Sequence, residues 1–440
     1  MVNVAAVFST LGNPNSLIPL LVKDTSASAG MTTGSLITGK EEGQDRLIDE
    51  VGTEIIWLCA IPAFKRLFDK TIFKAYNLDS EFDVRNLKNK DIFEKIKNYA
   101  PTENIKNNLL KIEKKQALFK NLALYKFFFS TGMAIASYIG LTKAKQSYTE
   151  NKIKKNLIAE YNAKKQAEDK KQKGTNEPSF KGLGDFVKYF AFSPVRNMWI
   201  LDGAITTERL ADSRTPQEFI GYGIKEVSTL CFMYYAGGKI QDYMEKRAIK
   251  KHNKNIGLDA RVIENGNLQK AFVNGSVKNS LDAFKSISGE SDADIYDFIH
   301  KNSDNEIVKA AKESRVISMY EKPKKWYEIF KKSEYTDKID TRKFIDIDEV
   351  KNIYKNINSL YEQYTKEIAN GKSSDEFFNK VKKLKRHSII TNIGTCIFAL
   401  GVATPAIMLA KRFLSKDNTE FETKKQIRAQ LIEDGIIAEA

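Results

Sequence analysis

The chain has 440 residues, of which 42% are apolar and 29% charged, and its formal net charge is +15. The apolar fraction is that of a folded protein and excludes a chain that is disordered throughout. The mean hydropathy of -0.42 excludes a densely polytopic membrane carrier, because most of the chain is polar.

Residues 1–44 are rich in Ser, Thr, Gly and Asn, which predicts loop with one short apolar piece at 17–22. The run GSLITGK, residues 34–40, has the spacing of a phosphate-binding loop. Such a loop needs Ser or Thr after its lysine to hold Mg²⁺, and Glu41 stands there instead. We therefore expect no nucleotide site in this segment.

A first apolar helix is predicted to begin near Asp45 and to run to about residue 76. Its apolar centre, residues 55–64, is too short to span a bilayer alone, and Pro62 is expected to kink or end it. Residues 82–120 show the spacing of soluble amphipathic helices, with Thr102 placed to cap the second of them.

A second apolar segment covers residues 127–141 and can reach spanning length if Lys126 extends its ammonium group to the interface. Gly132, Ala136 and Gly140 recur at every fourth position, so they share one helix face. Small side chains on one face let two helices approach closely in lipid. The charged residues that follow predict a helix that gives way to a linker near 168–179.

A third apolar segment, residues 227–238, is short like the first. Residues 256–386 contain no membrane-like run and predict a soluble helical domain, with helices near 267–287, 293–300, 304–319, 346–370 and 374–386. Ser291, Ser374 and either Asp346 or Asp348 supply the chemistry of helix starts. The acids at 340–349 lack the central glycine of a calcium loop, so we expect no metal there.

The fourth apolar segment, residues 388–410, contains no charged residue and would measure about 34 Å as a helix, against about 30 Å of bilayer hydrocarbon. Basic residues flank it at 380–387 and 411–412. This pattern predicts a membrane-crossing helix. Within it, Thr395, Ala399 and Ala403 repeat the four-residue spacing of small side chains and predict a second helix-packing face.

These patterns together predict an all-α fold, a membrane-associated helical bundle with a soluble helical insert. The expected parts begin with a loop-rich segment (1–44), a first pair of apolar helices with amphipathic helices between them (45–150), and a charged helix with a linker (151–182). They continue with a third apolar region (183–255), the soluble helical domain (256–386), and a transmembrane helix with a C-terminal tail (387–440).

No residue pattern predicts catalysis, a cofactor or a metal. The three histidines, His252, His300 and His387, lie far apart, and the three cysteines lack the CxxC spacing of zinc or disulfide sites. We expect a non-enzymatic role, scaffolding or partner binding at a bacterial inner membrane. The expected partners are anionic lipid and a protein, or a second copy held through the small-residue faces.

Two alternatives remain. The first is a soluble, basic helical protein that binds nucleic acid. Its lysines are interleaved with acidic residues, which weakens the positive field that a phosphate backbone would meet. Nucleic acid is therefore not an expected partner. A membrane enzyme or transporter component would need ionisable groups inside its apolar segments. The ionisable residues nearest to the apolar segments are Glu54, Lys126, Lys225 and Glu226.

Overall fold

The computed structural model describes residues 4–12, 16–164, 194–213, 216–321, 334–414 and 422–438. Within these ranges the fold is all-α apart from one two-stranded sheet, which confirms the predicted fold class. The linker predicted near 168–179 lies outside the described residues.

The helices of the first half are α1 (Val4–Leu11), α2 (Ile18–Thr38), α3 (Lys40–Phe68), α4 (Lys90–Asn98), α5 (Glu103–Lys114), α6 (Gln116–Lys164), α7 (Pro194–Ala211) and α8 (Pro216–Leu230). Those of the second half are α9 (Gly237–His252), α10 (Ala260–Glu264), α11 (Asn267–Val273), α12 (Ser276–Lys285), α13 (Asp292–Lys301), α14 (Glu306–Glu313), α15 (Ile347–Ala369), α16 (Ser374–Phe398), α17 (Thr404–Leu414) and α18 (Glu422–Glu433). Strand β1 (Met319–Glu321) pairs antiparallel with β2 (Tyr335–Ile339), and Met319 lies opposite Ile339.

The chain folds into two compact units. The first comprises Met1–Pro19, Phe68–Tyr125 and Gly238–Asn392, and the second comprises Leu20–Leu67, Lys126–Gly237 and Ile393–Ala440. The range 256–386, predicted as a soluble domain, lies wholly inside the first unit, which also includes residues 68–125. Independent folding of 256–386 therefore stays a prediction.

Helix starts in the first unit follow the predicted capping chemistry. The side chain of Thr102 accepts a hydrogen bond from the backbone N–H of Ile105, at 3.3 Å, and Ser291 accepts one from Asp294 at the same distance. Asp346 accepts from the N–H of Glu349 at 3.2 Å, which makes it the cap of α15. At α16 the cap is not Ser374 but the residue before it, because the Ser373 hydroxyl accepts from Glu376 N–H.

Residues 1–44, for which the composition predicts loop, form α1, α2 and the start of α3. The small residues that make this stretch a weak helix former also let α2 approach the segment after α16 very closely. A Cβ atom built on Gly30 would lie 2.2 Å from the carbonyl oxygen of Gly401. This close approach is how tertiary packing overrides local propensity here. The GSLITGK run is consequently helical across residues 34–38 and does not form a phosphate loop.

We expect Gly30→Ala to destabilise the second unit by about 1–3 kcal/mol, because the added methyl group must displace backbone rather than a flexible side chain. Thermal unfolding in detergent measures the effect. Gly203→Ala is the matched control, since no described atom lies within 4 Å of a Cβ at that helical position. The control is expected to gain up to about 1 kcal/mol from helix propensity. Equal melting temperatures for the two variants would contradict the close contact.

Pro62, expected to kink or end the first apolar helix, lies inside α3, which continues to Phe68. Its ring is exposed, whereas Trp57 and Ile61 beside it are buried and fix the helix to its neighbours. A wider π turn, Asp69–Phe73, follows α3, and similar π turns at Cys231–Ala236 and Ala399–Ala403 follow α8 and α16.

Two helical stretches are long and apolar enough to cross a membrane, Gln116–Asn162 and Ser374–Leu414. They contain the second and fourth apolar segments of the sequence. In the most apolar part of each, only 33% of the residues are buried. Much of their apolar surface therefore faces outward, including the side chains of Phe128, Phe398 and Val402.

Candidate functional site

The first predicted packing face, Gly132, Ala136 and Gly140, lies on the exposed side of α6. No described atom comes within 4 Å of a Cβ built on Gly132 or Gly140. The described part of the chain therefore places no helix against this face. A contact with a second copy stays a prediction.

The three residues of the second predicted helix-packing face differ in their exposure. Thr395 is exposed, Ala399 is buried, and Ala403 is half-buried. The close helix approach in this segment involves Gly401 instead, where an added Cβ would lie 2.3 Å from the Ser26 hydroxyl oxygen. The run of small residues at 26–30, SASAG, is the signal that could have identified this contact from sequence.

Arg209 is the centre of a buried ionic network in the second unit. Its side chain is 4% exposed and extends from the C-terminal half of α7. Its guanidinium donates to the carboxylate of Asp49 at 2.9 Å and to that of Glu226. The guanidinium also donates to the hydroxyl of Tyr138 at 2.5 Å and to that of Thr53 at 3.1 Å. Arg209 thus joins α3, α6, α7 and α8.

Lys225, the neighbour of Glu226 on α8, forms the second pair of the network. Its ammonium group donates to both carboxylate oxygens of Glu50, at 2.7 and 2.8 Å. Ser28 on α2 donates its hydroxyl to the same carboxylate at 3.2 Å. Both members of the ion pair are buried, so the hydrogen bonds replace water that each charge has lost.

Two further cations complete the network. Lys145 on α6 lies 3.5 Å from a carboxylate oxygen of Asp49 and 3.7 Å from one of Asp45. Arg46 lies 3.9 Å from Asp49 and 3.7 Å from Glu50, with its guanidinium carbon 5.0 Å from the ring centre of Tyr222.

Helical spacing brings these groups together. Asp45, Arg46, Asp49 and Glu50 occupy adjoining positions four residues apart on α3, so they form one charged face. Sequence reasoning noted Lys225 and Glu226 near the third apolar segment but missed Arg209 and the α3 face. Charged residues recurring every fourth position beside the buried Trp57 were the available signal.

Ion pairing sets the charge of the central carboxylates. Burial alone would raise the pKa of Asp49, but Arg209 and Lys145 hold it well below the ordinary value. Burial likewise opposes ionisation of Glu226, and Arg209 with Lys225 lowers its pKa. The pKa of Arg209 itself is raised by Asp49, Tyr138 and Glu226 against the effect of burial. Asp49, Glu226 and Arg209 are therefore charged at neutral pH.

A small polar cavity adjoins the network, with room for about one water molecule. It is lined by Asp24, Ser28, Glu50, Thr53, Trp57, Asp202, Ile205, Arg209, Lys225, Glu226 and Thr229. Asp202 accepts a hydrogen bond from the hydroxyl of Tyr234. Across the described residues, neither Asp24 nor Asp202 has a cation within ion-pair distance.

The described residues contain no cluster of His, Cys, Asp and Glu side chains arranged to hold a metal ion. The arrangement instead offers charges that fix the helices to one another, and carboxylates beside a water-sized space that can bind protons. No protein family matches the chain, and no curated protein or solved structure is significantly similar to it.

Proposed function

We propose that the protein is held in a membrane by its two long apolar helices and acts there as a non-enzymatic scaffold or partner-binding protein. The observation that carries this proposal is the exposed apolar surface along Gln116–Asn162 and Ser374–Leu414. Leaving apolar surface in water costs about 25 cal/mol per Å², whereas lipid covers it at no such cost. A soluble core helix would bury that surface within the fold.

The basic residues before the fourth apolar segment support contact with anionic lipid, but not all of them are accessible. Lys385 is buried and donates to the carbonyl oxygen of Ile256 at 2.8 Å, and Arg386 forms two 2.7 Å hydrogen bonds with Glu264. Lys380 and Lys383 are exposed. These two lysines each supply about 1 kcal/mol of attraction to an anionic leaflet, such as that of a bacterial inner membrane.

We expect the full-length protein to float with lipid vesicles in a density gradient, and to do so whether the vesicles are neutral or anionic. Lys380→Ala with Lys383→Ala should weaken the affinity for anionic vesicles about tenfold or more at low salt and leave the affinity for neutral vesicles unchanged. Lys270→Ala with Lys278→Ala, in the same unit, is the control pair. Protein that stays at the bottom of the gradient with every vesicle type would refute the membrane proposal.

A second candidate, a component of a membrane transporter, is favoured by the buried charges beside the third apolar segment. Ionisable groups in a membrane bundle face its interior and often mark ion or proton pathways. Lys225 and Glu226 lie in such a position. Vesicles that contain the protein and a pH-sensitive dye test this candidate, because a scaffold carries no proton or ion flux. Absence of proton flux under an imposed pH gradient would count against the transporter candidate and favour the scaffold proposal.

The nucleic-acid alternative is disfavoured by the same exposed apolar surface, because a soluble protein would have to leave that surface in water. Binding to DNA or RNA that falls steeply with salt would revive it.

A further inference from the structure

Among the described residues of the ionic network and its cavity, the carboxylates outnumber the cations that pair with them. Arg46, Lys145, Arg209 and Lys225 lie within ion-pair distance of Asp45, Asp49, Glu50 or Glu226. Asp24 on α2 and Asp202 on α7 add two carboxylates at the cavity and have no such partner among the described residues. Both are half-buried. Two carboxylates without a paired cation at one water-sized cavity cannot both be ionised without an electrostatic cost.

We propose that Asp24 and Asp202 form a proton-binding site at this cavity, and that the pair takes up and releases a proton. The inference concerns an activity beyond membrane anchoring and does not depend on it. Proton binding here is a protonation equilibrium, in which a carboxylate oxygen gains a proton from water and returns it. The process requires no metal or cofactor.

A second feature of the cavity points to the same use. Thr229 on α8 is 6% exposed, lines the cavity, and its hydroxyl has no hydrogen-bond partner in the described structure. A water in this space would give the hydroxyl a partner and could link it to the carboxylates.

Burial, together with the neighbouring carboxylates, favours the protonated form of Asp24 and of Asp202. Burial raises the pKa of Asp24 to about 7, with Glu50, Glu54 and Glu226 acting in the same direction and Lys225 opposing them. Burial also raises the pKa of Asp202 to about 8, and Asp24 and Glu226 add to the effect.

Asp202 is also influenced by a tyrosine and an arginine from the surrounding helical segments. The hydroxyl of Tyr234 and the guanidinium of Arg209 lower its pKa but do not outweigh burial. Lys23, which precedes Asp24 on α2, donates to the carbonyl oxygen of Phe232 and not to either carboxylate. Asp24 raises the pKa of Asp202, so the affinity of Asp202 for a proton depends on whether Asp24 is ionised.

The sign of the pH effect follows from these shifts. Both carboxylates bind protons more tightly in the folded chain than in the unfolded one, whose values are near 4. Between about pH 4 and about pH 8 the folded state therefore holds more protons, and stability falls as pH rises through this window. The stability that these two carboxylates lend to the folded chain at low pH is fully lost above the pKa values that they have in the folded state.

The test compares wild-type protein with the Asp24→Asn and Asp202→Asn double variant, full length and in detergent, by thermal unfolding at about pH 5 and about pH 9. We expect the melting temperature of the wild type to fall between these values by several degrees more than that of the double variant. At the higher pH the double variant should be the more stable protein. Asp49→Asn is the control, because it removes a paired carboxylate and should destabilise at both pH values.

A spectroscopic readout keeps the test decisive if the double variant does not fold. Infrared difference spectra of the wild type between the two pH values should show loss of a carboxylic acid C=O band at the higher pH. Asp202→Asn alone should remove or shift that band, and Asp49→Asn should not. Identical melting profiles in wild type and double variant, or a band unaffected by Asp202→Asn, would overturn the proposal.

Discussion

Arg209→Ala is expected to destabilise the second unit by about 3–5 kcal/mol, which corresponds to a fall in melting temperature on the order of 10 °C. The guanidinium is 4% exposed and pairs with the carboxylates of Asp49 and Glu226. Its removal leaves both carboxylates buried without their main cation. The loss of stability is large because two buried, uncompensated charges destabilise the folded state in addition to the loss of the hydrogen bonds themselves.

The matched control is Arg66→Ala, which removes an exposed arginine of α3 and should change stability by less than about 0.5 kcal/mol. A second comparison isolates the charge effect. Adding Asp49→Asn and Glu226→Gln to Arg209→Ala removes the stranded charges, so the triple variant should recover part of the lost stability. Detergent melting curves measure all three proteins. A melting temperature for Arg209→Ala equal to that of the control would show that the network does not hold this unit together.

Phe398→Arg combined with Val402→Arg should weaken the attachment of the protein to membranes, because only Gln116–Asn162 is left unchanged of the two apolar helices that hold it. Each arginine near the centre of a spanning helix costs about 2.5–3.5 kcal/mol on insertion scales. The two wild-type side chains are 62% and 53% exposed, so the substitutions leave the core of the chain intact. The membrane-bound fraction after cell lysis, measured by immunoblot, should fall sharply relative to wild type.

Val273→Arg is the control for this experiment, because that valine is 62% exposed on α11 in the first unit, outside both apolar helices. It should leave the membrane-bound fraction unchanged. A membrane-bound fraction equal to that of the wild type would show that the exposed side chains of the fourth apolar segment do not contribute to membrane attachment.

Local chemistry made the all-α class and many helix starts predictable. Thr102, Ser291 and Asp346 cap their helices through side-chain oxygens that lie a few residues from the amides they accept from. The apolar segments were equally visible, because a long run without charge is a property of adjacent residues. Both the capping residues and the apolar runs can be recognised from residues that lie close together in the sequence.

The remaining features depend on contacts between distant residues. Helix α2 was missed because its small residues are favourable only where Gly30 meets Gly401. The ionic network was missed because Arg209 and Asp49 are 160 residues apart, and nothing near either one shows that the other will neutralise it. The small-residue spacing at Gly132 was visible, but spacing alone does not specify which surface, if any, covers it.

The central claim is that the long apolar helices lie in a membrane, and alkaline carbonate extraction tests it most directly. Membranes from cells that produce the wild-type protein are washed in carbonate at high pH and then in detergent. Our account predicts that the protein stays in the membrane pellet through the carbonate wash and is released by detergent. Release by carbonate alone would contradict the account, because only proteins without lipid-embedded segments leave the bilayer under those conditions.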